Sequence, residues 1–211
     1  ALDYFSHSLK IQEEIGDKEG IANSFNNIGV IYYDQGQLNE AIDYYSRSLK
    51  IYEEIGNKEG AASSLNNIGA MYIVQEQLIE ALDYFSRSLK IEEEIGDRSG
   101  IANSLTNLGS IYLRQEEIEK ALIYYSRSLK IQEEIGDKSG IASSLNNIGT
   151  IYKKQGKLVE ALEYGLKSLT ISQEIGSPLR IRQASRLLSI IYEKQGKGMK
   201  AFEMYKLSIL M

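Results

Sequence analysis

Residues 61–100 decide the fold, and they read AASSLNNIGAMYIVQEQLIEALDYFSRSLKIEEEIGDRSG. Their first half places small and apolar residues at the three- and four-residue spacings of one helical face: Ala62, Leu65, Ile68, Gly69 and Tyr72. After a polar stretch at 75–77, a second such face runs through Ala81, Leu82, Phe85, Leu89 and Ile95. Gly96 is suited to a left-handed helix end, and Asp97 can cap the helix that follows. The stretch therefore predicts two antiparallel helices.

The same unit recurs every 40 residues along the chain. Residues 41–80 and 81–120 are identical at 22 of 40 positions without a gap. A fixed period of this length predicts a solenoid, in which each unit buries its apolar face against its neighbours. We expect a single array over residues 1–211. It consists of a lone second helix at 1–15, helix pairs at 21–56, 61–96, 101–136 and 141–176, and a degenerate last pair at 181–211.

Small and aromatic residues in the repeat columns predict how the helices pack. Gly69 lacks bulk at a position where two helix axes must approach closely, and its column recurs at Gly29, Gly109 and Gly149. Gly165 replaces the aromatic residue of the other units, which predicts looser packing in the fourth pair. Tyr33 and Tyr52 lie outside the repeated tyrosine columns, so we expect both to be exposed.

The columns resemble the tetratricopeptide repeat. Asn27-Ile28-Gly29 followed by Tyr32 matches the signature of its first helix, and Ala41, Tyr45 and Leu49 match that of its second. The unit is longer than the usual repeat of about 34 residues, which is similar to the long repeats of kinesin light chains and spindle-orientation adaptors. The resemblance implies an all-α solenoid of antiparallel helix pairs, a right-handed superhelix, and a concave groove lined by the first helices.

Asparagines on the first helices are the main candidates for binding. One column is unbroken over four units, and a second asparagine precedes it in three of them: Asn27, Asn67, Asn107 and Asn147, with Asn26, Asn66 and Asn146. An amide offers both a donor and an acceptor, so it can pair with a peptide backbone. In relatives of this family such a ladder holds an extended peptide. The alternative is that the column is structural and bonds between helices.

Charge is distributed unevenly along the chain, whose net charge is −5. Residues 1–140 hold 13 basic and 24 acidic side chains, whereas residues 141–211 hold 11 basic and 5 acidic ones. Lys153, Lys154 and Arg186 could therefore form a basic cluster that meets an acidic part of a ligand. The alternative is a solvated basic face. The overall acidity argues against nucleic acid as a partner.

Other features argue against catalysis and membrane insertion. The chain has no cysteine and a single histidine, His7, and its paired glutamates recur in successive units as solvated faces would. No run approaches the roughly 18 apolar residues of a membrane span. We therefore expect a non-enzymatic protein in the cytoplasm, without metal or cofactor.

The sequence thus predicts a module that binds an extended protein or peptide segment, as part of a larger signalling or scaffold protein. One alternative is an architectural spacer or self-association array, and another is the accessory domain of a multidomain enzyme. The lone helix at 1–15 lacks a first helix to cover Ala1, Phe5 and Leu9, so we also expect end-to-end association of copies.

Overall fold

The computed structural model describes the backbone of residues 2–210 and all of their side chains except those of residues 2–4 and 6. Over this range the chain is all-α. The helices are α1 (Leu2–Ile15), α2 (Lys18–Asp34), α3 (Leu38–Ile55), α4 (Lys58–Val74), α5 (Leu78–Ile95), α6 (Arg98–Arg114), α7 (Ile118–Ile135), α8 (Lys138–Lys154), α9 (Leu158–Glu174), α10 (Pro178–Lys194) and α11 (Gly198–Leu210). They form two compact units, Ala1–Ile111 and Tyr112–Met211.

Consecutive helices pack against each other within each unit. In the first unit α2 packs on α3 and α4 on α5, and in the second unit α8 packs on α9 and α10 on α11. Each first helix begins three residues before the start that the repeat pattern predicts; α4, for example, begins at Lys58 rather than at residue 61. The cap residue explains this difference, because Asn57 accepts a hydrogen bond from the backbone N–H of Gly60 at 2.9 Å.

The connection between helix pairs follows the predicted pattern of a glycine and then a capping side chain. Gly56, Gly96 and Gly136 end their helices in the left-handed region, with φ of 71°, 73° and 72°. Asp97 then accepts a hydrogen bond from the backbone N–H of Gly100 at 3.0 Å. The predicted helix end at Gly96 and cap at Asp97 are both confirmed.

Gly69 lies where two helices of the first unit approach closely. A Cβ atom at this position would be 2.9 Å from Cε2 of Phe85, which is itself fully buried. Gly29 faces Tyr45 in the same way, with a distance of 2.7 Å to Cε1. Gly29 and Gly69 thus make room for an aromatic ring on the partner helix, as the sequence predicts, whereas Gly149 of the same column faces Leu187.

Packing around Gly165 in the second unit differs from the expectation. A Cβ atom there would lie 2.9 Å from Cδ2 of Leu188, a residue of α10 with no exposed surface. Leu188 therefore occupies space that an aromatic ring fills in the other repeats. The prediction of looser packing was wrong because the next helix compensates for the missing ring.

The two tyrosines outside the repeat columns behave differently. Tyr33 is 44% exposed, as predicted, but Tyr52 is only 3% exposed. The Tyr52 ring lies against Gly60, and its hydroxyl donates a hydrogen bond to Oδ1 of Asn23 at 2.7 Å. The prediction of an exposed Tyr52 was wrong because Gly60 opens a site for its ring.

Candidate binding surface

The unbroken asparagine column lies on the surface of the first helices. Asn27 is exposed, and Asn67, Asn107 and Asn147 are half-buried. No side-chain hydrogen bond joins these four amides to any other described residue. Their donors and acceptors are therefore available to a ligand. We call them the outer asparagines.

Two of the preceding asparagines already bond within the protein. Asn66 donates from Nδ2 to Oε1 of Glu92 at 2.8 Å, and its Oδ1 accepts from Oγ of Ser104 at 3.2 Å. Asn26 accepts from Oγ of Ser64 at 3.3 Å. Both residues link one repeat to the next, and a ligand would have to compete with these bonds. Their role in binding stays a prediction.

Asn146 is the third asparagine that directly precedes an outer asparagine, and its buried Oδ1 has no hydrogen-bond partner. The donors to Asn26 and Asn66 stand 38 residues further along the chain, at Ser64 and Ser104. The same offset from Asn146 leads to Ala184, which has no hydroxyl and is fully buried. The unpaired atom is therefore explained by one substitution within the repeat pattern.

Apolar side chains accompany the outer asparagines in the first unit. Val30 and Tyr33 follow Asn27 at three-residue intervals and are each 44% exposed. On α4 the corresponding residues are Ala70 and Ile73, both half-buried. The surface thus repeats its amide while the neighbouring side chains vary. This arrangement suits a ligand whose backbone is held uniformly and whose side chains are read individually.

Lys153 and Arg186 line a common cleft in the second unit, as the sequence predicts. The cleft has a volume of about 260 Å³, and its lining residues are Asn146, Thr150, Lys153, Gln183, Arg186, Leu187 and Ile190. Burial lowers the pKa of Lys153 below its usual value of 10.5, and the positive charges of Lys194, Lys154 and Arg186 lower it further. Lys154 is exposed and does not line this cleft. An anionic group bound here would offset the repulsion.

A polar cleft in the first unit was not found by sequence reasoning. Its volume is about 250 Å³, and its lining residues are Glu59, Ala62, Ser63, Asn66, Asn67, Glu92, Ile95, Asp97, Ser99, Gly100 and Asn103. The neighbouring pair Glu93 and Glu94 is exposed, as expected. The sequence could have revealed this cleft through the repeat position of Glu92, because the equivalent residues in the other repeats are Gln12, Tyr52, Gln132 and Ser172. Glu92 is the only carboxylate at that position.

Two further observations concern metal sites and membrane insertion. Within the described part of the chain, no three His, Cys, Asp or Glu side chains are placed so that they could hold a metal ion. His7 is exposed. Across the described residues, no helix is both long enough and apolar enough to span a membrane.

Comparison with known proteins places the repeat in a family. The family model for the tetratricopeptide repeat matches residues 1–54, 60–134 and 140–209. A search of the curated proteins finds no match.

Solved structures share the fold at low sequence identity. BtubC (BKLC) from P. vanneervenii is 18% identical with a TM-score of 0.86, over 98% of this chain and 87% of that one. YrrB, a TPR protein with an unusual peptide-binding site, is 23% identical with a TM-score of 0.60, over 99% and 92% of the two chains. The kinesin light chain-like repeats from Podosopora anserina are 16% identical with a TM-score of 0.70, over 89% and 93%. These likenesses show a helical-repeat fold.

Proposed function

Because this chain belongs to the tetratricopeptide repeat family, we propose that it is a non-catalytic interaction module that binds an extended protein segment on the surface of its first helices. In the first unit the segment's backbone pairs with the outer asparagines Asn27, Asn67 and Asn107. The second unit offers a surface of the same kind, on which Asn147 pairs with the backbone of a bound segment and Lys153 and Arg186 receive one of its acidic side chains.

One observation carries this proposal. The outer asparagines present one unpartnered amide per repeat, whereas the adjacent Asn26 and Asn66 are used to join repeats. A column that joins repeats would have its amides paired within the protein, as those of Asn26 and Asn66 are. The peptide-binding site named for YrrB shows that the fold can hold a peptide, and it supports the proposal at the level of the fold.

The test compares adjacent asparagines. Random peptides on an array are screened with the whole chain, and the strongest binder is labelled and measured by fluorescence polarisation. Replacing both Asn67 and Asn107 with Ala should weaken binding by about 1–3 kcal/mol, because backbone groups of the peptide lose their partners. The melting temperature should be nearly unchanged.

Asn66→Ala is the matched control. It removes the same side chain from the neighbouring position, but it breaks bonds to Glu92 and Ser104, so it should lower the melting temperature. If the Asn67 and Asn107 double variant melts much lower while binding persists, the outer column is structural and the proposal fails.

End-to-end association is a second candidate, favoured by an exposed apolar face on α11. Tyr205 and Ile209 are 54% and 63% exposed, whereas their counterparts Tyr125 and Leu169 are 2% and 8% exposed. At the other end, Phe5 and Leu9 are half-buried, and Ala1 lies outside the described residues. Replacing Tyr205 and Ile209 with Ser should reduce any association seen by sedimentation velocity over a wide concentration range. A sedimentation coefficient that is independent of concentration would exclude this candidate.

A further inference from the structure

The cleft around Glu92 in the first unit has an unusual distribution of charge. Three of its lining residues are acidic, namely Glu59, Glu92 and Asp97, and no Lys or Arg is among the described residues that line it. We call it the acidic cleft. Lys58, which precedes Glu59 in the chain, pairs with Glu94 at 2.9 Å.

Glu92 lines this cleft and has an unpaired carboxylate oxygen. The residue is 1% exposed, and its Oε1 accepts hydrogen bonds from Nδ2 of Asn66 at 2.8 Å and Oγ of Ser88 at 3.0 Å. Its Oε2 is buried and has no partner. A buried carboxylate with an unpaired oxygen destabilises the folded state, because the group loses water without a full set of replacements.

The repeat does not require a carboxylate at this position. Gln132 occupies the equivalent site in the second unit, is also buried, and accepts a hydrogen bond from Ser144 at 2.7 Å. Gln12 accepts one from Ser24 at 2.6 Å. A neutral amide therefore satisfies the same packing, so the charge of Glu92 has no structural role that the other repeats share.

A second pair of residues makes the cleft more acidic. One repeat earlier, Asn57 donates from Nδ2 to Oε1 of Glu19 at 3.0 Å. The residues 40 positions later are Asp97 and Glu59, which are both acceptors. Asp97 uses Oδ1 to cap Gly100, and Glu59 has no hydrogen bond or ion pair with any other described residue. Like charges are thus brought together where the preceding repeat has a hydrogen bond.

We propose that the acidic cleft binds a Lys or Arg side chain of the segment held by the outer asparagines. An ammonium or guanidinium group supplies the donor that Oε2 of Glu92 lacks and balances the charges of Glu59 and Asp97. Asn67 also lines the cleft, so a backbone amide contact and the basic side chain of one residue meet at the same place. This inference rests on the proposed function and adds the chemistry of one ligand residue.

The first experiment uses n-butylguanidinium as a probe of the cleft. Amide chemical shifts of the whole chain are followed by NMR as the probe is added, and Gly100 and Asn67 should shift with saturation. Glu92→Gln should weaken the interaction about tenfold or more, because it removes the buried charge. This variant copies the amide of Gln132, so its unfolding midpoint should be unchanged or higher.

Glu93→Gln is the matched control, because it removes one charge from the same helix at an exposed position. It should leave the probe titration nearly unchanged. Equal chemical-shift changes at Gly100 in the original protein and in Glu92→Gln would overturn the proposal. It would also be overturned if Glu92→Gln and Glu93→Gln weakened binding of the probe equally.

The second experiment uses the array of random peptides and separates this inference from the proposed function. Peptides bound by the original protein should contain Lys or Arg, and Glu92→Gln should lose that preference. Peptides that bind through the outer asparagines without such a preference would refute the acidic cleft and leave the proposed function standing. If no peptide binds while n-butylguanidinium still titrates the cleft through Glu92, the proposed function fails and the cation site remains.

Discussion

Ala184→Ser should stabilise the protein by restoring a hydrogen bond that the repeat pattern has lost. The unpaired Oδ1 of Asn146 is buried, and the two equivalent bonds, from Ser64 and Ser104, are 3.3 and 3.2 Å long. Ser64 and Ser104 are fully buried, as Ala184 is, so a hydroxyl fits this position in other repeats.

The expected gain follows from opposing contributions. Leaving a buried acceptor unpaired costs about 1–3 kcal/mol. The equivalent bonds are longer than the 2.7–2.8 Å typical of hydroxyl donors, so we take the lower part of this range. Serine is a weaker helix former than alanine by about 0.5 kcal/mol. The net stabilisation should therefore be about 0.5–1.5 kcal/mol.

Urea denaturation of a double-mutant cycle provides the assay. Ala184→Ser should raise the denaturation midpoint at constant m-value in the original protein, but not in the Asn146→Ala background, where the acceptor is missing. An equal effect in both backgrounds would refute the reasoning, because the gain would then arise elsewhere. Destabilisation in the original protein would refute it as well.

Two predictions concern ionisable groups. Arg186→Gln should raise the pKa of Lys153, because it removes one of the positive charges that lower this pKa, whereas the control Arg47→Gln in the other unit should not change it. NMR titration of ¹³C-dimethylated lysines measures the pKa of Lys153 in both variants. An unchanged pKa in Arg186→Gln would contradict the cleft geometry. Burial raises the pKa of Tyr45 from 10.0 to about 12, and the charges of Asp34 and Tyr33 add to the shift. Its contribution to stability is therefore complete below pH 10.0 and lost as the pH rises towards about 12. Tyr45→Phe should lose less stability over that interval in urea unfolding, and an equal loss would contradict the assignment.

Much of the fold was predictable because the same local signals for helix ends and helix packing recur in successive repeats. Gly96 and Asp97 specify a helix end and a cap through backbone conformation and a single side chain, so they need no knowledge of distant contacts. Gly69 was equally readable, since a glycine inside a helix has a cost that close packing must offset. The errors at Tyr52 and Gly165 share a cause. In both places a residue of another helix, Gly60 or Leu188, decides the outcome.

The candidate site was only partly predictable for the same reason. A helical face can be inferred from spacing, and the grouping of Lys153 with Arg186 followed from their positions on successive first helices. Spacing could not distinguish Asn66 from Asn67, because the difference depends on Ser104 and Glu92, which come from two other helices. The acidic cleft required the same three-helix arrangement.

The unpaired atoms of Asn146 and Glu92 have different meanings, although both break the repeat pattern. At Asn146 the asparagine keeps the identity it has in two other repeats, and the change is the loss of its donor at Ala184, so an internal substitution can repair it. At Glu92 the donors Asn66 and Ser88 are present, and the change is an added negative charge. Both donors bond to Oε1, so Oε2 stays unpaired. A cationic donor would both pair that oxygen and balance the charge, and none of the described residues lining the cleft provides one. The missing donor at Ala184 thus accounts for the unpaired atom of Asn146 within the protein, whereas the surplus charge of Glu92 has no such internal explanation and is the basis of the proposed cation site.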